Sequence, residues 1–436
     1  MILLAWTAWL ALSTSCIVSA LVWLRRTREI VAPVPILVGT IGLYVLPRAA
    51  YLLWFGRAPD SSAGLLEQDQ AHLIASTLAV INIGVLAFLL AHQSPAIRTW
   101  GRSIRFTLPD PDPYRAAVTA GLVLALGVAA FALLLRQIGG WRYVVQNQSL
   151  VSDLLQGKGI LLNLTRVIAI PAGLLLIDRA RHRTRWWVWL FVLFAVLCYA
   201  ILGRRSLIAF ALAYPLLLYH WSLHSFPWKR LAVAGVIAVL TLTAYSYVRL
   251  LGIDRIGQAS RVVVTHPQAA VHFLFSTGEF RIFDATTIIV RDVPEVIAPN
   301  FGTSFIRVPW WIIPRTLWET KPVTLGETLV GQYMPNIRGG HPPMIFGELY
   351  AAGGIFAVIL GMFCFGWMTR LGWEWGTRHR GVGDGSMYIL FCYFVYDFTR
   401  VGDPSRTLWA AVIAAVMFAG VFCLSAPSSA PSQSAQ

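Results

Sequence analysis

Runs of roughly 20 apolar residues recur along the whole chain, separated by short polar stretches, and each is long enough to cross a hydrocarbon core of ~30 Å as a helix. The pattern predicts about eleven spans, near 3–24, 30–54, 71–92, 116–136, 160–178, 186–203, 206–224, 231–251, 343–368, 386–398 and 407–424. The run at 386–398 is short and ends in charged residues, so it reads as broken or tilted. The first run lacks a basic leader and is followed by Arg25, Arg26 and Arg28, which predicts a retained first helix and not a cleaved signal peptide. The expected fold class is an all-α polytopic membrane protein. A membrane bundle at 1–251 precedes a long loop at 252–342, further spans at 343–424 and a low-complexity, disordered tail at 425–436.

Composition agrees with the hydropathy. The 436 residues are 57% hydrophobic and 13% charged, against about 25% charged in a soluble domain. The five cysteines, Cys16, Cys198, Cys364, Cys392 and Cys423, fall in or beside apolar runs and form no CxxC or Cys/His cluster, so they read as packing residues. The net charge of +15 could suggest a nucleic-acid partner, but its distribution points to topology. With the N-terminus outside, sixteen basic residues fall on the inner side, eleven of them among Arg25–Arg28, Arg98–Arg115 and Arg179–Arg185. The other five are Lys229, Arg230, Arg370, Arg378 and Arg380, and only eight fall in the short outer loops. That asymmetry predicts N-out, C-in and places 252–342 outside.

The long loop is nearly balanced in charge, with 8 basic and 7 acidic residues, and it carries apolar-aromatic stretches such as TSFIRVPWWIIPRTLW at 303–318. Too apolar for a free linker, it is expected to lie on or partly re-enter the membrane. All but Lys158, Lys229 and Lys321 of the 35 basic residues are arginine. A GC-rich gene gives that bias, and so does bidentate recognition of phosphate.

Several outward residues are candidates for chemistry. Arg204 and Arg205 sit in a tight hairpin between two spans, placed either to anchor the interface or to bind a diphosphate. Glu279 and Arg281 flank an apolar helix-like stretch, where the plain alternative is a surface ion pair with Asp284. Arg307, Arg315, Lys321 and Arg338 punctuate the rest of the loop, and the proline neighbours of Arg315 and Lys321 restrict their backbones in a way that suits anion binding. His341 lies at the entry to the ninth span; imidazole titrates near neutrality and suits proton transfer. Glu348 and Arg249 are further candidates as cavity residues, because an ionisable side chain in an apolar helix is costly unless paired or lining a cavity. Arg315 and Gly326, like Arg291 and Gly302, fit an Arg-x10-Gly spacing that arises by chance at this composition and carries no weight. Asp110 and Asp112 have DxD spacing but sit in a Pro-rich inner loop and read as a turn before the fourth span. No metal, nucleotide or other cofactor signature stands in a usable context.

These outward features, in this order, resemble bacterial O-antigen and oligosaccharide repeat-unit polymerases (the Wzy type) and, more distantly, O-antigen ligases. The likeness rests on GRRSL at 203–207, STGEFRIFDA at 276–285, IPRTLWETKP at 313–322 and GGHPPMIFGELYAAGG at 339–354. It implies a GT-C-like layout and metal-independent transfer of a glycan from one undecaprenyl-diphosphate carrier to another lipid-linked unit at the bacterial inner membrane. A chain-length regulator of the Wzz type is an implied partner, and nucleic acid is not. The resemblance also implies diphosphate-binding roles for Arg204 or Arg205, Arg281 and Arg315. His341 is the implied base, with Glu279 in reserve. Pro342 departs from the ligase pattern, where a polar residue follows the histidine. A ligase and a lipid-linked saccharide transporter are the alternative readings.

Overall fold

The computed structural model describes residues 1–55, 70–147, 151–155, 158–178, 183–184, 188–222, 226–227, 280–310, 313, 317–320, 322–333, 341–378 and 381–427, with scattered positions between 229 and 265. Among them the regular structure is helical apart from one two-residue antiparallel pairing of Ile177–Asp178 with Arg183–Thr184. Six helices are long and apolar enough to cross a membrane: Ile2–Thr27, Pro33–Phe55, Gln70–His92, Pro113–Gln137, Met344–Arg378 and Pro404–Leu424. This is an all-helical membrane protein. Each of the six coincides with a run read from hydropathy; most of the run at 231–251 lies outside the described residues.

Other runs take different forms. The run at 160–178 is broken into Gly159–Thr165, a 3₁₀ turn at Arg166–Ala169 and Ile170–Leu176. Pro171 has no N–H to continue the helical ladder, and the Tyr199 hydroxyl donates to the carbonyls of Thr165 and Arg166 at 2.9 and 3.0 Å. The run at 386–398, expected to be broken or tilted, is not broken: it is part of a continuous 20-residue helix, Val382–Val401. Its flanking charges are absorbed locally: Asp384 accepts the Leu108 N–H at 2.7 Å, and Arg400 pairs with Asp397 one turn away at 3.1 Å.

The chain divides into two compact units. The first comprises residues 1–104, 260–375 and 391–411. In it the Ile2–Thr27 and Gln70–His92 helices pack together, with Trp23 against His92 and Trp373 at centroid distances of 5.3 and 5.1 Å. Glu374, buried on the Met344–Arg378 helix, faces Arg370, Arg102 and Arg98 at 2.5, 3.4 and 3.8 Å. Arg98 and Arg102 thereby tie the short Pro95–Gly101 helix to Glu374. The Met344–Arg378 helix is itself interrupted at Gly353 and Gly354. Gly354, with φ of +64°, occupies a region that favours glycine.

The second unit comprises residues 105–259, 376–390 and 412–436. Its core includes Tyr214, stacked on Phe210 and edge-on to Phe418 at 5.4 Å, with Trp221 stacked on Tyr388 at 4.2 Å. Asp112 caps the Pro113–Gln137 helix, accepting from the Tyr114 and Arg115 N–H groups at 3.1 and 3.0 Å, and Asp110 accepts the Val382 N–H at 2.8 Å. Both acids of the DxD spacing therefore serve as caps.

Candidate functional site

The Arg281–Asp292 helix is the centre of the site. Residues 282–289 are all buried, and the helix is tied down on two sides. Behind it, Arg48 of the Leu46–Phe55 helix makes a two-pronged contact with Asp284, with Nε to Oδ1 at 3.0 Å and Nη2 to Oδ2 at 2.5 Å. Both side chains are almost wholly buried, and a charge so placed requires its partner. Beside it, Thr286 donates to the Pro343 carbonyl at 2.6 Å. Gly347 allows that approach, since a Cβ there would stand 3.3 Å from the Thr286 Cα.

Arg281, Asp284, Ala285 and Ile288 recur at positions i, i+3, i+4 and i+7 and form one face. Leu329 and Tyr333, four apart on the Leu325–Tyr333 helix, form the facing wall, and His341 completes a small, partly open cleft. The Leu325–Tyr333 helix begins at a capping box: the Thr324 N–H donates to Glu327 at 2.8 Å and the Glu327 N–H donates to the Thr324 hydroxyl at 3.1 Å.

Two clips hold this wall over the Arg281–Asp292 helix. At one end the His341 N–H donates to the Gly326 carbonyl at 3.1 Å. Gly326 is needed there because a Cβ would come within 3.0 Å of the His341 carbonyl oxygen. At the other end the Tyr333 hydroxyl donates to Asp292, which also accepts from Arg291 Nε and Nη2 at 2.6 and 2.9 Å. Burial works against the Asp292 carboxylate, but the hydrogen bonds from Arg291 and Tyr333 and the Arg291 charge outweigh it and hold its pKa below the ordinary value. Burial, the hydrogen bond to Asp292 and the Asp292 charge push the Tyr333 phenol up to about 12, so it stays a donor.

The sequence candidates thus separate. Arg281 and His341 both line the cleft. Asp284 is not at the surface; it is buried against Arg48. Arg307 and Glu348 meet elsewhere, in a buried cluster with Ser304, Ser405 and Asp403. Arg307 donates to the Val323 carbonyl at 2.6 Å and to the Ser405 hydroxyl at 3.3 Å, and stands 3.9 Å from Asp403. Its Nε and Nη1 groups thereby brace the loop from a buried position. Burial raises the Asp403 carboxyl above its ordinary range, against the opposing N–H of Arg406 and charge of Arg307. Arg204, in the second unit, caps the turn before the Arg205–Ser222 helix, its carbonyl accepting from Leu207 and Ile208 at 3.1 Å each. The side chains of Arg205, Arg249, Glu279, Arg315, Lys321 and Arg338 lie outside the described residues.

Arg48, Asp292, Tyr333 and Asp403 were not among the sequence candidates. Arg48 carried a signal, as the lone charge inside the run at 30–54; the other three looked like ordinary loop residues. Among the described residues no group of three or more His, Cys, Asp or Glu side chains is placed to hold a metal ion. No protein-family model, curated protein or solved structure matches this chain.

Proposed function

We propose that the protein is a membrane glycosyltransferase that polymerises undecaprenyl-diphosphate-linked oligosaccharide repeat units on the outer face of the bacterial inner membrane. The reading takes the full count of eleven spans, a GT-C-like layout, an outward N-terminus and a cytoplasmic C-terminus. The observation that supports it is that Arg281 and His341, residues 60 positions apart in the long loop, both line one cleft.

An acceptor hydroxyl oxygen attacks the anomeric carbon of the donor glycan. The bond from that carbon to the phosphate oxygen breaks, and the diphosphate leaves with the electron pair. Arg281 neutralises the growing charge on the leaving group, a task that bidentate guanidinium contacts perform without a divalent cation. Arg315, Lys321, Arg338, Arg204 and Arg205 are the further diphosphate ligands in this scheme. His341 takes the acceptor proton late in the reaction, with Glu279 the reserve base. A chain-length regulator of the Wzz type is the expected partner.

The test is the purified full-length protein in vesicles with a lipid-diphosphate repeat unit as donor and acceptor, in the presence of EDTA. A ladder of lengthening products is expected, and Arg281→Lys and His341→Ala are each expected to lower its formation by about 100-fold or more while the protein stays inserted. Transfer only to a lipid A core would instead identify a ligase. Movement of the intact lipid without transfer would identify a transporter.

A further inference from the structure

The segment from 301 to 310 is built inside-out. Its basic residue Arg307 is only 7% exposed and Ser304 only 4%, whereas Phe301, Ile306 and Trp310 are 79%, 69% and 56% exposed, with Phe305 exposed beside them. The inversion has a structural cause. Arg307 is drawn inward by the Val323 carbonyl, the Ser405 hydroxyl and Asp403. Ser304 is held by the Ser405 hydroxyl, which donates to its carbonyl at 3.0 Å, and the Trp409 indole N–H donates to the Val308 carbonyl. With polar groups gathered on the inner side, the large apolar side chains have only the outer side left.

The depth of the segment is marked by a second contact. The Asn300 N–H donates to the Ala351 carbonyl at 2.8 Å, an acceptor freed by the interruption at Gly353 and Gly354. Ala351 stands three residues beyond Glu348, within the uncharged run 349–369, whose length matches one hydrocarbon thickness of ~30 Å. Residues 301–310 therefore lie level with one edge of the apolar stretch of that span, which itself exposes Phe356 and Leu360 nearby in sequence. An outward set of Phe, Ile and Trp at such a depth matches the interfacial placement of apolar and tryptophan side chains.

We propose that Phe301, Phe305, Ile306 and Trp310 form a wedge inserted among the acyl chains of one leaflet, with the Arg307 clasp as the device that turns them outward. The partner is bulk bilayer hydrocarbon. The proposal is independent of the chemistry assigned to the cleft, and its test needs no turnover.

Nitroxide labels at Phe301→Cys, Ile306→Cys and Trp310→Cys, each alone, would be introduced into the full chain with the exposed Cys364 and Cys423 replaced by serine. The labelled proteins would be reconstituted in vesicles of phosphatidylethanolamine and phosphatidylglycerol. Collision with molecular oxygen, which concentrates in hydrocarbon, is expected to exceed collision with a water-soluble nickel chelate by at least several-fold at 306 and 310. The order is expected to reverse at Glu295→Cys, an exposed site in the same unit. Dominant nickel collision at 306 and 310 would overturn the proposal by placing the wedge in water. Low collision with both reagents would overturn it too, because a protein surface would then cover the segment. Three separately scored sites keep the test standing if one variant fails to fold.

Discussion

Arg48 and Asp284 face each other with almost no access to solvent. Removing either partner strands a buried charge, whereas replacing both removes the problem. Arg48→Met and Asp284→Leu are each expected to cost about 3–5 kcal/mol in thermal unfolding of the solubilised protein, and Arg48→Met/Asp284→Leu less than the sum of the two single losses. Strict additivity would show that the two side chains do not depend on each other. The Tyr333 and Asp292 pair differs in being partly open to solvent and titratable at both ends. The Asp292 pKa is depressed, so its contribution is complete above the ordinary carboxylate range and is lost as pH falls through the lowered value. The phenol is raised to about 12, so its contribution is complete below its ordinary value of 10 and fades as pH rises towards 12. The stability difference between the native protein and Tyr333→Phe should therefore be flat across neutral pH and shrink at both extremes. A melting series against pH checks this, and a difference that varied steeply around neutrality would point to another group.

At the scale of elements, the candidate site is a helix wall clipped over a second helix, and the clips differ in how visible they are in the sequence. The capping box at Thr324 and Glu327 is local, three residues apart, and legible as a helix start. The clip at Gly326 is not, because a glycine in a helix gives no sign that His341 passes 15 residues later within van der Waals distance of it. Gly326→Val is expected to displace the His341 backbone and lower polymerising activity by about 10–100-fold with the folded protein retained, since small misplacements of a reacting group are costly. Unchanged product ladders in that variant would remove His341 from the chemistry. The Glu374 cluster acts on the same scale. Glu374→Gln leaves Arg370, Arg102 and Arg98 facing one another, and faster proteolytic cleavage between 93 and 105 is the expected result, read by digestion of the reconstituted protein.

The whole molecule follows from free energies that act over different distances. Transfer of a helix into hydrocarbon sums over about 20 consecutive residues, so six spans could be placed from local composition alone, and the orientation proposed here rests on loop charges of the same kind. Impermeant thiol reagents applied to intact cells are expected to reach cysteines introduced at 293–299 and not at 103–107; the reverse pattern would invert the topology. The helix Val382–Val401 shows where local reading stops. Its ends looked like boundaries because Asp384, Asp397 and Arg400 are charged, but each finds a partner or an N–H to accept, and the helix continues. By itself the sequence determined the helical class and the positions of the long apolar spans, both consequences of neighbours along the chain. Only the tertiary structure decided that Asp284 belongs to Arg48 across 236 positions, that Tyr333 closes on Asp292, and that Arg307 turns inward while its apolar neighbours turn out. Buried polar groups choose their partners by three-dimensional proximity and by the cost of leaving any of them unmatched, and neither is a property of a stretch of sequence.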